Sequence, residues 1–133
     1  MAAGAVPIVA GDLNNDPFDG DGRSAAIRAL LDHPLLRDVL PRSERETDDG
    51  TGDRAGYRMG VNASQKGDPA LDTADWRDEG QNASGDLRVD YLIPSRTLEV
   101  LGSGVFWPSR DDPMRATVEQ ASDHRLVWID ISL

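Results

Sequence analysis

The stretch that decides the fold is residues 8–14, IVAGDLN, in which a short apolar run ends abruptly in Gly-Asp-x-Asn. Apolar runs of this length are typical of buried strands, and polar groups placed where such a strand stops lie at the mouth of a sheet. Asp12 and Asn14 lie two residues apart, so on a strand they share one face and can point at one metal ion or one phosphate. The stretch therefore predicts a strand over residues 5–11 with a polar site at its end.

Other segments also place reactive side chains beside apolar runs. Asp90 lies inside residues 87–93, LRVDYLI, where a charge is costly unless it has a partner. Asp123 and His124 immediately precede the apolar run 125–131. A histidine can act as an acid or a base near neutral pH, and it normally needs a carboxylate on its other ring nitrogen. Asp90 is a candidate for that carboxylate, so we expect these strands to bring acid, amide and imidazole groups to one place.

Each of these residues also has a purely structural explanation, which the sequence leaves open. Asp12 and Asn14 can cap the turn that precedes the first helix. Asp90 can face solvent on an edge strand, and the pair Asp123 and His124 can form a solvated turn.

A calcium-binding loop is a further alternative for residues 12–21, because Asp-x-Asn-x-Asp opens loops of the EF-hand type. Such a loop needs glycine at its sixth position and a carboxylate at its twelfth. Pro17 and Arg23 occupy those positions here, so the match is incomplete.

The composition narrows the class of protein. The chain has 133 residues, a formal net charge of −10 and no cysteine. This length predicts one domain, and the negative charge weighs against general nucleic-acid binding, which depends on clustered Lys and Arg. Disulfides and thiolate metal sites are excluded. We recognise neither a signal peptide nor a membrane-spanning segment, so we expect a soluble protein whose compartment the sequence does not determine.

The remaining pattern predicts about four strands and one helix. Ser24 is a plausible N-cap for a helix over residues 25–31, further strands are expected at 98–107 and 125–131, and a long loop covers about 42–86. One helix can cover only one face of a sheet. We therefore expect the other face to be covered by a further part of the fold or to support self-association.

The motifs GDLN at 11–14, RVDYL at 88–92 and SDHRL at 122–126, taken in this order, resemble the closing motifs of the endonuclease/exonuclease/phosphatase superfamily. The stretch GDPALDTADW at 67–76 is similar to an uncharacterised bacterial subgroup of that superfamily, and the resemblance covers nearly the whole chain. It implies an α/β protein that forms part of a DNase I-like β-sandwich flanked by helices. In this chain that would be one mixed sheet with about one covering helix.

The resemblance also implies roles for the residues singled out above. Asp12 would position or deprotonate the attacking water and, with Asp123, hold Mg²⁺ or Mn²⁺. Asn14 would bind the scissile phosphate. Asp90 would orient His124, which would contact the substrate and stabilise the transition state.

One departure from the superfamily's pattern is important. Its first half supplies another sheet and a metal-binding glutamate, and no sequence before Gly11 can supply them here. We therefore expect residues 1–133 to be the C-terminal portion of such a domain, to bind metal weakly and to hydrolyse little when isolated. The expected substrate is a phosphodiester or phosphomonoester of a small molecule, a lipid or a nucleic acid. A non-catalytic binding module on the same fold is the alternative.

Overall fold

The computed structural model describes residues 6–47, 60–109 and 111–132. Within these ranges lie six strands and two α-helices, in the order β1 (Ile8–Asp12), α1 (Ser24–Leu31), β2 (Ala74–Asp75), β3 (Asp86–Leu87), β4 (Asp90–Pro94), β5 (Glu99–Phe106), α2 (Arg115–Ala121) and β6 (Leu126–Ser132). Short 3-10 helices occupy Glu44–Thr47, Gly60–Ser64 and Pro69–Leu71. The predicted α/β class is confirmed, and none of the described helices is long and apolar enough to cross a bilayer.

The strands pair as three two-stranded antiparallel sheets, β1 with β4, β2 with β3 and β5 with β6. The prediction of one mixed sheet is therefore wrong for the part of the chain that the structure describes. Strands β4 and β6 are in contact without sharing a ladder. A single bridge between Ala74 and His124 connects the β2–β3 pair to the residues that precede β6.

The predicted strand over 87–93 is interrupted, because its backbone amides bind side chains instead of a neighbouring strand. The N–H of Arg88 donates to Asp16 Oδ2 at 2.8 Å, and the N–H of Val89 donates to Thr73 Oγ1 at 3.0 Å. These bonds separate β3 from β4. The interruption fixes the chain immediately before Asp90.

Helix α1 covers one face of the β1–β4 pair. Ile27 is the buried residue of the helix, and it belongs to a core cluster with Leu36, Tyr91 and Ile93. The predicted capping role of Ser24 is wrong, because Ser24 is already the first helical residue and Arg23 precedes it without a side-chain cap bond. The helix is held by burial of its apolar stripe, as amphipathic helices usually are.

The predicted loop at about 42–86 contains regular structure where it is described. It includes the three 3-10 helices, strand β2 and the first residue of β3, while residues 48–59 lie outside the described ranges. Ala74, Leu87 and Val89 form a second core cluster, against which Trp76 packs. The end of this segment is therefore part of the core.

Strands β5 and β6 form the third antiparallel pair and are joined by the segment that contains α2. A bulge lies between Val100 and Gly102, and alternate residues of β6 are exposed and half-buried. Leu126 and Trp128 remain 66% and 43% exposed, so one apolar face is open in the described structure. Self-association through this face, or its coverage by a further part of the fold, stays a prediction.

Candidate active site

The register of β1 and β4 places Asp12 directly opposite Asp90. Two carboxylates in directly opposed positions repel each other, which destabilises an antiparallel pair unless positive charge or hydrogen-bond donors lie nearby. The end of this pair is therefore electrostatically suited to receive a cation or an imidazolium.

His124 lies at this position. Its Nδ1 is 2.9 Å from Asp90 Oδ2, and the side chains are 31% and 19% exposed respectively. Because an ionised carboxylate only accepts hydrogen bonds, Nδ1 carries the proton and Nε2 remains available for another group. Holding one ring nitrogen in this way fixes the tautomer and orientation of a reactive histidine.

Ligand atoms of Asp12, Asp90 and His124 all lie within 4.8 Å of one another. No other group of this kind occurs among the described residues, and no glutamate that the structure describes joins it. Two carboxylates and an imidazole form a donor set compatible with a hard divalent cation such as Mg²⁺ or Mn²⁺, which prefers oxygen ligands and keeps bound water. Asp12 is exposed, so that water has room at the site.

Asn14 lies beside this group in a left-handed conformation, with φ of 46°. Asparagine tolerates this region better than most residues, and here the backbone N–H of Asn14 donates to Asp12 Oδ1 at 2.7 Å. The residue lines a groove of about 410 Å³ whose wall also includes Trp76, Arg77 and Asn82. The turn therefore places an exposed amide in the wall of a cleft, two residues along the chain from Asp12.

Asp123, the other predicted metal ligand, does not belong to the group of three. Its Oδ2 accepts a hydrogen bond from Trp76 Nε1 at 3.1 Å, and its carbonyl oxygen accepts one from the backbone N–H of Asp75 at 2.9 Å. The exposed carboxylate is thus held towards Trp76.

Two residues that the sequence analysis gave no role hold the site together. Thr73 is fully buried, and its Oγ1 accepts the backbone N–H groups of Val89 at 3.0 Å and Asp90 at 2.9 Å. Its carbonyl oxygen accepts the N–H of Arg125 at 2.7 Å. Thr73 therefore ties together the chain on either side of the Asp90–His124 pair.

Trp76 is the second of these residues. Its ring centroid lies 5.6 Å from that of His124, with an interplanar angle of 77°, while its Nε1 donates to Asp123. Both Thr73 and Trp76 fall in the stretch 67–76, and the resemblance of that stretch to known sequences was the available signal for them.

The carboxylates of residues 12–21 serve other partners, which weakens the calcium-loop alternative. Asp16 accepts the N–H groups of Phe18 and Asp19, and Asp19 in turn accepts the N–H of Gly67 at 2.7 Å. Within the described residues these carboxylates form turns and tie the loop to a distant segment, and they do not converge on one point.

Sequence comparison agrees with this geometry. The sequence model of the endonuclease/exonuclease/phosphatase family matches residues 2–124, which is most of the chain. The chain belongs to the endonuclease/exonuclease/phosphatase family. Enzymes of this family hydrolyse phosphoester bonds and generally depend on a divalent metal ion. No curated protein and no solved structure matches the chain closely enough to add a further comparison. The superfamily predicted from the motifs is thus confirmed.

Proposed function

We propose that this member of the endonuclease/exonuclease/phosphatase family carries a metal-dependent phosphoesterase site built on Asp12, Asn14, Asp90, Asp123 and His124. The observation that supports it most is the 2.9 Å contact between His124 Nδ1 and Asp90 Oδ2, next to the carboxylate of Asp12. An oriented imidazole beside a carboxylate suits phosphoryl transfer, in which catalysis is mostly positioning and stabilisation of charge.

Each side chain has a defined task in this proposal. Asp12, at the exposed end of β1, accepts a proton from the attacking water or orients it. Asn14 donates its amide N–H to a phosphoryl oxygen from the wall of the groove. His124 presents Nε2 to the oxygen on which negative charge develops, while Asp90 stabilises the imidazolium that this requires.

Asp12 and Asp123 are the residues that we propose to hold Mg²⁺ or Mn²⁺. The bound ion would neutralise charge on the phosphoryl group and lower the pKa of coordinated water. The donor set is sparse, since Asp123 does not belong to the group of ligand atoms around Asp12. We therefore expect weak metal binding and little hydrolysis by the isolated chain.

The groove beside Asn14 favours a compact substrate. Its wall carries Asp19 and Asp21 as well as Arg77. Duplex DNA is held by clusters of cationic side chains, and the chain as a whole has a net charge of −10. We propose a small phosphorylated molecule or a lipid-derived phosphoester as the substrate class.

Turnover of bis(p-nitrophenyl) phosphate and p-nitrophenyl phosphate with Mg²⁺ or Mn²⁺ tests this function. We expect slow, metal-dependent release of p-nitrophenol that is lost in His124→Ala. His33→Ala is the matched control, because His33 is exposed at the end of α1 and should leave the rate unchanged.

Three outcomes would contradict the proposal. Turnover that survives His124→Ala would remove the histidine from the chemistry. Binding of the phosphate compounds without any turnover that depends on His124 would favour the non-catalytic module. Rates of about 1–10³ s⁻¹, ordinary for a complete enzyme, would contradict the expectation of a weak site.

A further inference from the structure

A second cavity lies away from the Asp90–His124 pair, between α1 and the segments around residues 38–40 and 67–72. Its volume is about 390 Å³, which is in the range of small-molecule sites. None of the five residues proposed for phosphoester hydrolysis lines it. A ligand in this cavity would therefore be separate from the phosphoesterase substrate.

Asp72 is the distinctive group in the wall of this cavity. The residue is only 6% exposed, and no group among the described residues donates a hydrogen bond to its carboxyl group, although the guanidinium of Arg45 is near enough to affect its pKa. A buried polar group without a partner carries a desolvation penalty that most native structures avoid. Such a group at a cavity wall is explained if a ligand supplies the missing hydrogen bond.

The other buried or half-buried carboxylates of the wall are already satisfied. Asp16 accepts backbone N–H groups, and Asp38 accepts both terminal nitrogens of Arg88 at 2.8 and 2.6 Å. Asp68 pairs with Arg42 at 2.7 Å. Asp72 therefore differs from the neighbouring carboxylates in that it lacks a hydrogen-bond partner.

The carboxylates around Asp72 favour a cation as that partner. Burial, together with the nearby carboxylates of Asp86 and Asp16, raises the pKa of Asp72 to about 8, although the guanidinium of Arg45 lowers it in part. A positively charged donor in contact with Asp72 would favour the ionised carboxylate and so reverse part of that shift. A divalent metal ion fits less well, since it needs several oxygen ligands and Asp72 belongs to no such group among the described residues.

Two exposed apolar side chains also line the cavity. Phe18 and Leu40 are 53% and 52% exposed, and the guanidinium of Arg28, another lining residue, lies 4.9 Å from the centre of the Phe18 ring. Leu40 also has a φ of 49°, an uncommon conformation for a non-glycine residue and one that costs energy. A ligand with an apolar body would cover both side chains.

We propose that this cavity binds a small amphipathic amine, with its ammonium group at Asp72 and its apolar body against Phe18 and Leu40. The amine donates the hydrogen bond that Asp72 lacks, and the apolar body removes the two exposed side chains from water. The site is independent of phosphoester hydrolysis, so binding and turnover are measured separately.

Isothermal titration of the chain with benzylamine, and with benzyl alcohol as its neutral counterpart, tests this proposal. We expect benzylamine to bind at least about tenfold more tightly than the alcohol. Asp72→Asn should remove that preference for the amine, whereas Asp32→Asn, at an exposed carboxylate of the same wall, should change the affinity less than about twofold.

Phe18→Ala provides a test that does not disturb the buried carboxyl, because Phe18 is half-exposed. This substitution should weaken the binding of benzylamine by about fivefold or more, because the apolar contact with the phenyl ring of Phe18 is lost. The proposal is overturned if benzyl alcohol binds as tightly as benzylamine, if both Asp72→Asn and Phe18→Ala leave the affinity unchanged, or if no binding heat is found up to about 10 mM ligand.

Discussion

Replacing Thr73 with valine tests how the candidate site is held in place. Valine has nearly the shape of threonine but no hydroxyl group, so the N–H groups of Val89 and Asp90 lose their acceptor at 3.0 and 2.9 Å. A buried donor left without a partner costs about 1–3 kcal/mol. Val89 is 1% exposed, while Asp90 is half-buried and can recover part of its bond from water. We expect Thr73→Val to lower the free energy of unfolding by about 2–4 kcal/mol.

Chemical denaturation followed by tryptophan fluorescence measures this loss, and Thr73→Ser is the matched control. Serine keeps the acceptor and removes one methyl group, which costs about 1 kcal/mol in a buried position. The stabilities should therefore fall in the order threonine, serine, valine. If the valine variant is as stable as the serine variant, the hydroxyl group does not hold the backbone at Asp90 and this reasoning is refuted.

The same substitution has a consequence at the site, because Asp90 orients His124. Nitrogen chemical shifts of the His124 ring distinguish a fixed Nδ1–H tautomer from a mixture of tautomers. We expect the fixed tautomer in the wild type and in Thr73→Ser. Thr73→Val should show a mixture of tautomers. An unchanged spectrum would show that the hydroxyl group of Thr73 stabilises the fold without orienting His124.

Other predictions concern Asp72, Trp76 and Asp38. Burial raises the pKa of Asp72 from 3.8 to about 8 in the folded state, so between these pH values the native state keeps a proton that the unfolded chain releases. The contribution of Asp72 to the free energy of unfolding is therefore fully present near pH 4 and is lost as the pH rises to 8. Asp72→Asn should remove this loss. The unfolding free energy of the variant minus that of the wild type, measured by urea unfolding, should therefore rise by up to about 1.4 kcal/mol per pH unit between pH 4 and pH 8. A difference that does not change with pH would contradict the assigned cause. Trp76→Phe removes the 3.1 Å hydrogen bond to Asp123 and should weaken Mn²⁺ binding, measured by calorimetry, by about two- to tenfold. An unchanged affinity for Mn²⁺ would show that Trp76 does not position Asp123. Asp38→Asn leaves the guanidinium of Arg88, 5% exposed, without its carboxylate, and should lower the unfolding free energy by about 3 kcal/mol; a loss below about 1 kcal/mol would show that the pair is dispensable.

The apolar patterns predicted β1, β4, β5 and β6 closely, since burial on one or both faces leaves a direct mark on the sequence. Asp90 was the most informative residue among them. A charge within an apolar run requires a partner, and the structure places His124 at that point. The motif order carried the remaining information, because it identified the family before any geometry was known.

Other features left little mark on local sequence. Thr73 and Trp76 act through hydrogen bonds to residues 16–47 positions away, and neither is a reactive type that attracts attention. Helix α2 buries none of its residues, so it has no apolar stripe from which to predict it. The pairing of the strands depends on side-chain acceptors such as Thr73, which pattern reading does not include.

The central claim is that Asp12 binds a divalent ion beside the Asp90–His124 pair and the phosphate position. Its most direct test is titration of the chain with Mn²⁺ while the ring resonances of both histidines are followed by NMR. Paramagnetic broadening should affect His124 first and leave His33 sharp, and Asp12→Asn should shift the broadening to much higher Mn²⁺ concentrations. Equal broadening of the two histidines, or broadening of His124 that does not depend on Asp12, would contradict the account.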